Sequence, residues 1–212
     1  MHLLVIGSSR GTGRLVVEQA LRVGHEVRGM IRDPEQAAEL ERLGATPVVG
    51  DLEGDLEHAF EGVDAVAFCA GSGSSTGPDA TLRVDLHGAV RTVDCSLAQG
   101  VERYVMLSSI AAGDPMRGRP QLRHYLAAKH AADRILLASG LQATVVRPGG
   151  LTDDLGTGRV TLGNPRLPDR GSIPRADVAA TMLACLDRPE TAGAAFEIIS
   201  GDTPIESALN VL

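Results

Sequence analysis

The chain has 212 residues, of which 43% are hydrophobic and 22% charged. At roughly 150 residues per domain, that length implies one domain, residues 1–212, with a packed interior, and argues against disorder. A net charge of −7 and a pI of about 5.3 exclude nucleic acid as a partner held through phosphate contacts.

Short β-branched runs alternate with amphipathic stretches, the signature of βαβ units and a parallel sheet. Leu3 to Ile6 reads as a buried strand ending at Gly7, and residues 14 to 23 as a helix closed by Gly24. Val27 to Ile31 is the second strand. Asp33-Pro34 starts a helix that runs to Leu43, with Asp33 as N-cap and Gly44 after it. Thr46 to Val49 is the third strand; a short helix near 55 to 60 leads into the fourth, Val63 to Cys69. A loop rich in glycine and serine, 71 to 78, has small side chains that suit close backbone approach to a ligand. A helix from Thr81 to Gln99, a strand from Arg103 to Ser108, a helix over 121 to 139 and a strand from Ala143 to Arg147 follow. After Pro148-Gly149-Gly150 the pattern loosens until the helix Asp177 to Asp187 and the strand Ala195 to Ile199. Right-handed crossovers order these strands 3-2-1-4-5-6 with a seventh at the edge, a three-layer, doubly wound α/β fold. Ligands bind such sheets where the order reverses, between the first and fourth strands, and both glycine-rich loops emerge there.

Gly7-Ser8-Ser9-Arg10-Gly11-Thr12-Gly13 follows the first strand and opens a helix. Free amides at a helix start can hold a pyrophosphate and the glycines let it approach, so Gly7, Ser9, Arg10, Gly11, Thr12 and Gly13 are candidate nucleotide ligands. At the end of the second strand, an acid would bind a free ribose 2′-hydroxyl and an arginine a 2′-phosphate. Both stand there, as Arg32 and Asp33. Asp33 is claimed by the helix cap and Arg10 adds a second guanidinium, so NADP is favoured, with NAD the alternative. Asp51 and Leu52, at the end of the third strand, can meet adenine, or Asp51 can cap the next short helix.

Tyr125 and Lys129 stand four apart on one helix and share a face. Lys129 is the only lysine in the chain, and this spacing arises by accident in about 1% of shuffled chains. A nearby ammonium favours the phenolate and so makes tyrosine a usable acid and base. Ser109, one residue past the fifth strand, is the candidate donor to a substrate oxygen. His124 and His130 lie off the face of Tyr125, and no cluster has metal-ligand spacing, so no metal is expected. Cys69, Cys95 and Cys185 are widely separated and read as buried thiols in a reducing cytosol. The apolar run at the amino terminus is too short for a signal peptide or a membrane span. A cytoplasmic protein with no membrane partner is expected.

In order along the chain, Gly7-x-x-x-Gly11-x-Gly13, Gly50-Asp51-Leu52, Cys69-Ala70-Gly71, Leu107-Ser108-Ser109, Tyr125-x-x-x-Lys129 and Arg147-Pro148-Gly149 resemble the short-chain dehydrogenase/reductase superfamily over nearly the whole length. The length and the stretch Val27 to Arg32 look most like its small atypical group, related to epimerase/dehydratase and NmrA-like proteins. The resemblance implies a Rossmann fold and a catalytic set in which Tyr125 exchanges a proton with substrate oxygen, Lys129 holds the nicotinamide ribose and tunes Tyr125, and Ser109 steadies the carbonyl. It also implies that Cys69, Ala70, Gly71, Pro148, Gly149 and Leu151 line the cofactor. Two features depart from the group: Arg10 stands where many atypical members carry glycine, and the large carboxyl-terminal substrate domain of extended members is missing. A small-molecule substrate site must then be assembled from loops 71 to 80 and 110 to 120 and from the irregular region 151 to 174. An NADP-dependent reductase or dehydrogenase is the leading expectation. A redox-sensing NADP(H) binder without turnover and a sugar-nucleotide epimerase or dehydratase are the alternatives.

Overall fold

The computed structural model describes residues 1–73 and 76–212; Ser74 and Ser75, within the expected glycine- and serine-rich loop, lie outside the described residues. The chain forms β1 (His2–Ile6), α1 (Gly11–Arg22), β2 (Glu26–Ile31), α2 (Ala37–Leu43), β3 (Thr46–Val49) and β4 (Ala65–Phe68). Next come α3 (Pro78–Ala80), a π-helical segment (Thr81–Gly88) and α4 (Ala89–Ala98), continuous with one another, then β5 (Arg103–Leu107), α5 (Arg123–Ala138) and β6 (Gln142–Pro148). The last part holds β7 (Gly150–Thr152), β8 (Arg159–Gly163), β9 (Ser172–Pro174), α6 (Arg175–Leu186), β10 (Ala195–Ser200), β11 (Thr203–Pro204) and α7 (Ile205–Ala208).

The central sheet runs β3-β2-β1-β4-β5-β6-β10, every neighbouring pair parallel. This is the Rossmann order that the sequence implies. The expected seventh strand, β10, is not the edge: β8 pairs with it antiparallel and β11 pairs with β8. The region 151 to 174, expected to be irregular, supplies β8 and a separate two-stranded parallel sheet of β7 and β9. Its strands are three to five residues long with mixed burial, so no long apolar run marks them.

β1 reads as one continuous apolar run because both of its faces are covered. Leu3 and Val5 pack toward α1 and α6 with Val16, Val17, Val178 and Met182. Leu4 and Ile6 pack toward α4 and α5 with Val93, Phe68, Met106 and Leu136. Each such side chain contributes about 1.5–3 kcal/mol on burial, which fixes the strand ends and hence the loops that leave them. Asp33 caps the next turn as expected, its Oδ1 accepting from the Glu35 N–H at 3.0 Å.

Gly13 is where α1 rests on the sheet. A Cβ there would strike the Gly7 carbonyl oxygen, a backbone atom that cannot swing aside, and lie 3.1 Å from the Cys69 Cβ. Gly13→Ala is therefore expected to lower the unfolding free energy by about 1–3 kcal/mol through overpacking, with an unchanged urea m-value. A midpoint equal to that of the parent protein would show that the contact does not constrain α1.

Candidate cofactor and catalytic site

The two loops at the reversal of strand order touch. Gly7 has φ +83, and a Cβ on it would fall 2.8 Å from the backbone of Ala70, so the β1 and β4 loops abut only because Gly7 has no side chain. Gly11, at φ +56, opens α1. The N-cap, Arg10, makes no side-chain capping bond, and the first turn contains no acid. The amides of residues 11–13 are thus left for an anion. Thr12 adds a buried hydroxyl with no partner among the described residues. Ser9 is half-buried and Arg10 exposed, whereas Ser8 is buried and donates to the Met30 carbonyl at 2.9 Å, tying the loop to β2. These residues fit the pyrophosphate of a dinucleotide: a glycine cradle, uncapped amides and an orphaned hydroxyl.

At the adenosine side, the Asp33 carboxylate is taken by its cap while Arg32 is exposed. Asp51 caps a turn rather than a helix, accepting from the Glu53 N–H at 3.0 Å. Leu52, expected to cover a ring, is buried in the core, and a Cβ on Gly88 would lie 2.9 Å from its own Cβ; little of it is left open. Cys69 turns its sulfur toward Met182 Sδ, 3.9 Å away, and burial pushes its thiol up to about 12. Its side chain packs beneath the cradle, while Ala70 and Gly71 lie at the surface of the cleft. Pro148 and Gly149 are buried, and Leu151 lies partly exposed on β7.

Tyr125, Lys129 and Asp133 follow one another at intervals of four on α5 and so share a face. Lys129 is almost wholly buried; its Nζ donates to the Leu107 carbonyl at 2.8 Å and lies 5.7 Å from the Phe68 ring centroid. Tyr125 is half-buried with the Ser109 hydroxyl as its polar neighbour. The sequence reading expects Lys129 to hold this phenol down. The structure differs: burial pushes the phenol above its ordinary value, the Asp85 carboxylate adds to the rise, Ser109 opposes it, and Asp133 raises it further. The Lys129 ammonium is engaged instead by the Leu107 carbonyl, the Phe68 face and the charge of Asp133. Ser108 and Ser109 divide the work, because Ser108 Oγ donates to Asp133 Oδ2 at 2.9 Å. The Ser109 hydroxyl makes a long 3.4 Å bond to the Ile110 carbonyl and faces the phenol.

Four residues around this site were not anticipated in function. Asp133 pairs with Arg147 Nε at 2.9 Å, both buried. Burial raises the Asp133 carboxyl, with Arg147 foremost among the groups opposing that rise. Glu197 stands beside Arg147 in register on β10 and accepts the N–H groups of Ala111 (2.9 Å) and Leu167 (2.8 Å). It thereby holds Ala111 at φ +67, a conformation that costs a residue with a Cβ. Asp85, in the π-helical segment, is buried and accepts the Ser72 N–H at 3.0 Å. Arg175 lies against Gly11. The signal for Asp133 was present in the spacing from Tyr125; the others are joined to the site only by tertiary contact. His124 is exposed, and His130 is bonded to the Ala112 carbonyl at 2.7 Å. Among the described residues no group of three or more His, Cys, Asp or Glu could hold a metal ion, and no helix is long and apolar enough to cross a membrane.

A family model described as NAD(P)H-binding matches residues 7–189. The chain belongs to this NAD(P)H-binding family. A Bacillus subtilis protein described as "Uncharacterized sugar epimerase YhfK" is 43% identical over 216 residues, covering all of both chains. The structure of a "Putative NAD-dependent epimerase/dehydratase" from Bacillus halodurans superposes with a TM-score of 0.96 at 41% identity over the full length of both. That of the oxidoreductase ylbE from Lactococcus lactis gives 0.89 at 26% identity, covering all of this chain and 96% of the other. The family is one of nicotinamide-cofactor proteins, oxidoreductase- and epimerase-like.

The chain has two tyrosines, and burial raises both Tyr104 and Tyr125. The folded protein binds these protons more tightly than the unfolded chain, so the linked stability is intact below about pH 10 and is lost as pH rises beyond it. Ultraviolet titration of the cofactor-free protein is expected to show no phenolate below about pH 10. A tyrosine ionising near neutrality would mean that Lys129 governs Tyr125 after all.

Proposed function

We propose that the protein is an oxidoreductase of the short-chain dehydrogenase/reductase type, using NADP(H) to reduce a small carbonyl substrate or oxidise the corresponding alcohol. The observation that carries this reading is the meeting of Ser109 and Tyr125 on a face of α5 shared with Lys129, at the carboxyl end of the sheet. The nicotinamide, when bound, supplies or accepts the hydride. Gly7, Ser9, Gly11, Thr12 and Gly13 hold the pyrophosphate, and the exposed Arg10 and Arg32 take a 2′-phosphate. Asp51, Ala70, Gly71, Pro148, Gly149 and Leu151 complete the groove.

Ser109 donates to the substrate oxygen and fixes its place. Tyr125, kept protonated in the cofactor-free protein by its burial and by Asp85, gives its proton to that oxygen as negative charge develops, and bound cofactor and substrate must offset its raised hold on that proton. Lys129 orients the nicotinamide ribose from beneath. The substrate pocket is built over the single domain by loop 110 to 120 and the region 151 to 174, which Glu197 links through Ala111 and Leu167. Three free thiols, buried or half-buried, suit a cytoplasmic location.

A second reading, sugar-nucleotide epimerase or dehydratase, is supported by the names of the Bacillus subtilis and Bacillus halodurans relatives. It uses the same triad and requires tightly held NAD.

Tyr125→Phe is expected to cut carbonyl reduction, followed at the nicotinamide absorbance, by about 100-fold or more while NADPH affinity stays within about twofold. Arg32→Ala is expected to weaken NADPH by roughly tenfold and spare NADH. Full turnover by the Phe variant refutes the acid role. NAD⁺ that survives dialysis in the purified protein would favour the epimerase.

A further inference from the structure

The amino termini of α1 and α6 meet at Gly11, where α6 places a guanidinium and an arginine also stands at the N-cap of α1. Arg10 is the N-cap of α1, and Arg175 is the first residue of α6. A cation at the positive end of a helix dipole is disfavoured, so each position is a local conflict that a bound anion would resolve. Across Gly11 the two elements meet: a Cβ on Gly11 would lie 3.8 Å from Arg175 Nε. The same first turn of α1 carries uncapped amides and the Thr12 hydroxyl, which has no partner among the described residues and belongs to a residue more than nine-tenths buried.

The acid in the first turn of α6 does not neutralise Arg175. Asp177 accepts from the Gly158 N–H (2.7 Å), the Thr157 N–H (3.0 Å) and the Thr157 hydroxyl (3.2 Å), so its carboxylate is committed to the 157–158 turn. Among the described residues the counter-ion of Arg175 is Asp153, Nη1 to Oδ1 2.6 Å, and the Asp153 side chain is 90% exposed. Exposed pairs of this kind contribute little and exchange readily.

We propose that Arg175 is a ligand of the dinucleotide pyrophosphate, closing the cradle from the α6 side, and that it exchanges Asp153 for phosphate when the cofactor binds. The inference rests on NAD(P)H binding alone, independent of the hydride chemistry and of the preference for NADP. Because Asp153 directly follows β7, the exchange releases the start of the substrate-side region when the cofactor arrives.

The test is fluorescence titration of the full-length protein with NADPH and with NADH, using Arg175→Ala, Asp153→Asn and Arg32→Ala, with thermal melts to establish that each variant is folded. Arg175→Ala is expected to weaken both cofactors equally, by roughly tenfold, because both carry the pyrophosphate. Asp153→Asn, which removes the competing anion, is expected to tighten both by a few-fold. A loss confined to NADPH would make Arg175 a 2′-phosphate ligand and overturn the proposal, as would unchanged affinity for both. Weaker or unaltered binding by Asp153→Asn would overturn the exchange. The Arg32 variant reports separately: an NADPH affinity unchanged from the parent protein there counts against the NADP preference and leaves the assignment of Arg175 standing.

Discussion

Four buried charges at the carboxyl end of the sheet, Lys129, Asp133, Arg147 and Glu197, constrain everything built above them. Two are basic and two are acidic side chains. Three members also bond a backbone or serine group, Lys129 the Leu107 carbonyl, Asp133 the Ser108 hydroxyl and Glu197 two amides, while Arg147 holds Asp133. Burying charge is costly unless it is paired and hydrogen-bonded. The cost is offset only in one arrangement of β5, β6, α5 and the 110–113 loop. That arrangement also fixes the peptide between Ser108 and Ser109, and so the hydroxyl that faces Tyr125.

This cluster alters the chemistry expected of the tyrosine. In the simplest picture a lysine one turn away lowers the phenol. Here the lysine is buried among its own partners, and the carboxylates of Asp85 and Asp133 act on the phenol in the opposite sense. The cofactor-free site therefore holds the phenol proton more tightly than an ordinary tyrosine does. The other end of the cleft has the complementary character, with amides and guanidiniums gathered around Gly11 and no acid in the first turn of α1. A polyanion at one end and a developing oxyanion at the other both find donors in place.

Much of the fold was legible because a parallel sheet covered on both faces needs continuous apolar strands, and glycines at 7, 11 and 13 mark the turn between the first strand and its helix. The Tyr125/Lys129 pair was legible from its spacing, and Asp133 extends the same series. The edge strands β8 and β11 were not, since short exposed strands carry no apolar signature. The π-helical segment Thr81–Gly88 falls within a stretch whose sequence reads as one regular helix, because under two π turns are too few for apolar spacing to separate the two periods. Glu197 and Arg175 reach the site from strands and helices far along the chain, and their roles depend on neighbours that no local pattern names. Leu52 differs from its sequence expectation for a related reason: its position at a strand end suggests an open edge, whereas Gly88 lets it sink into the core.

The central claim is that one buried charge cluster presents Ser109 and Tyr125 together to a nicotinamide held from the Gly7–Gly13 loop. A crystal structure of the protein with NADPH tests it most directly. The dinucleotide is expected to run from the α1 amides to Ala70 and Gly71, with the Tyr125 hydroxyl facing the reactive ring and Lys129 Nζ within about 3 Å of the nicotinamide ribose. A nicotinamide lying elsewhere, or a phenol turned away from the ring while the Asp133–Arg147 pair stays intact, would contradict it.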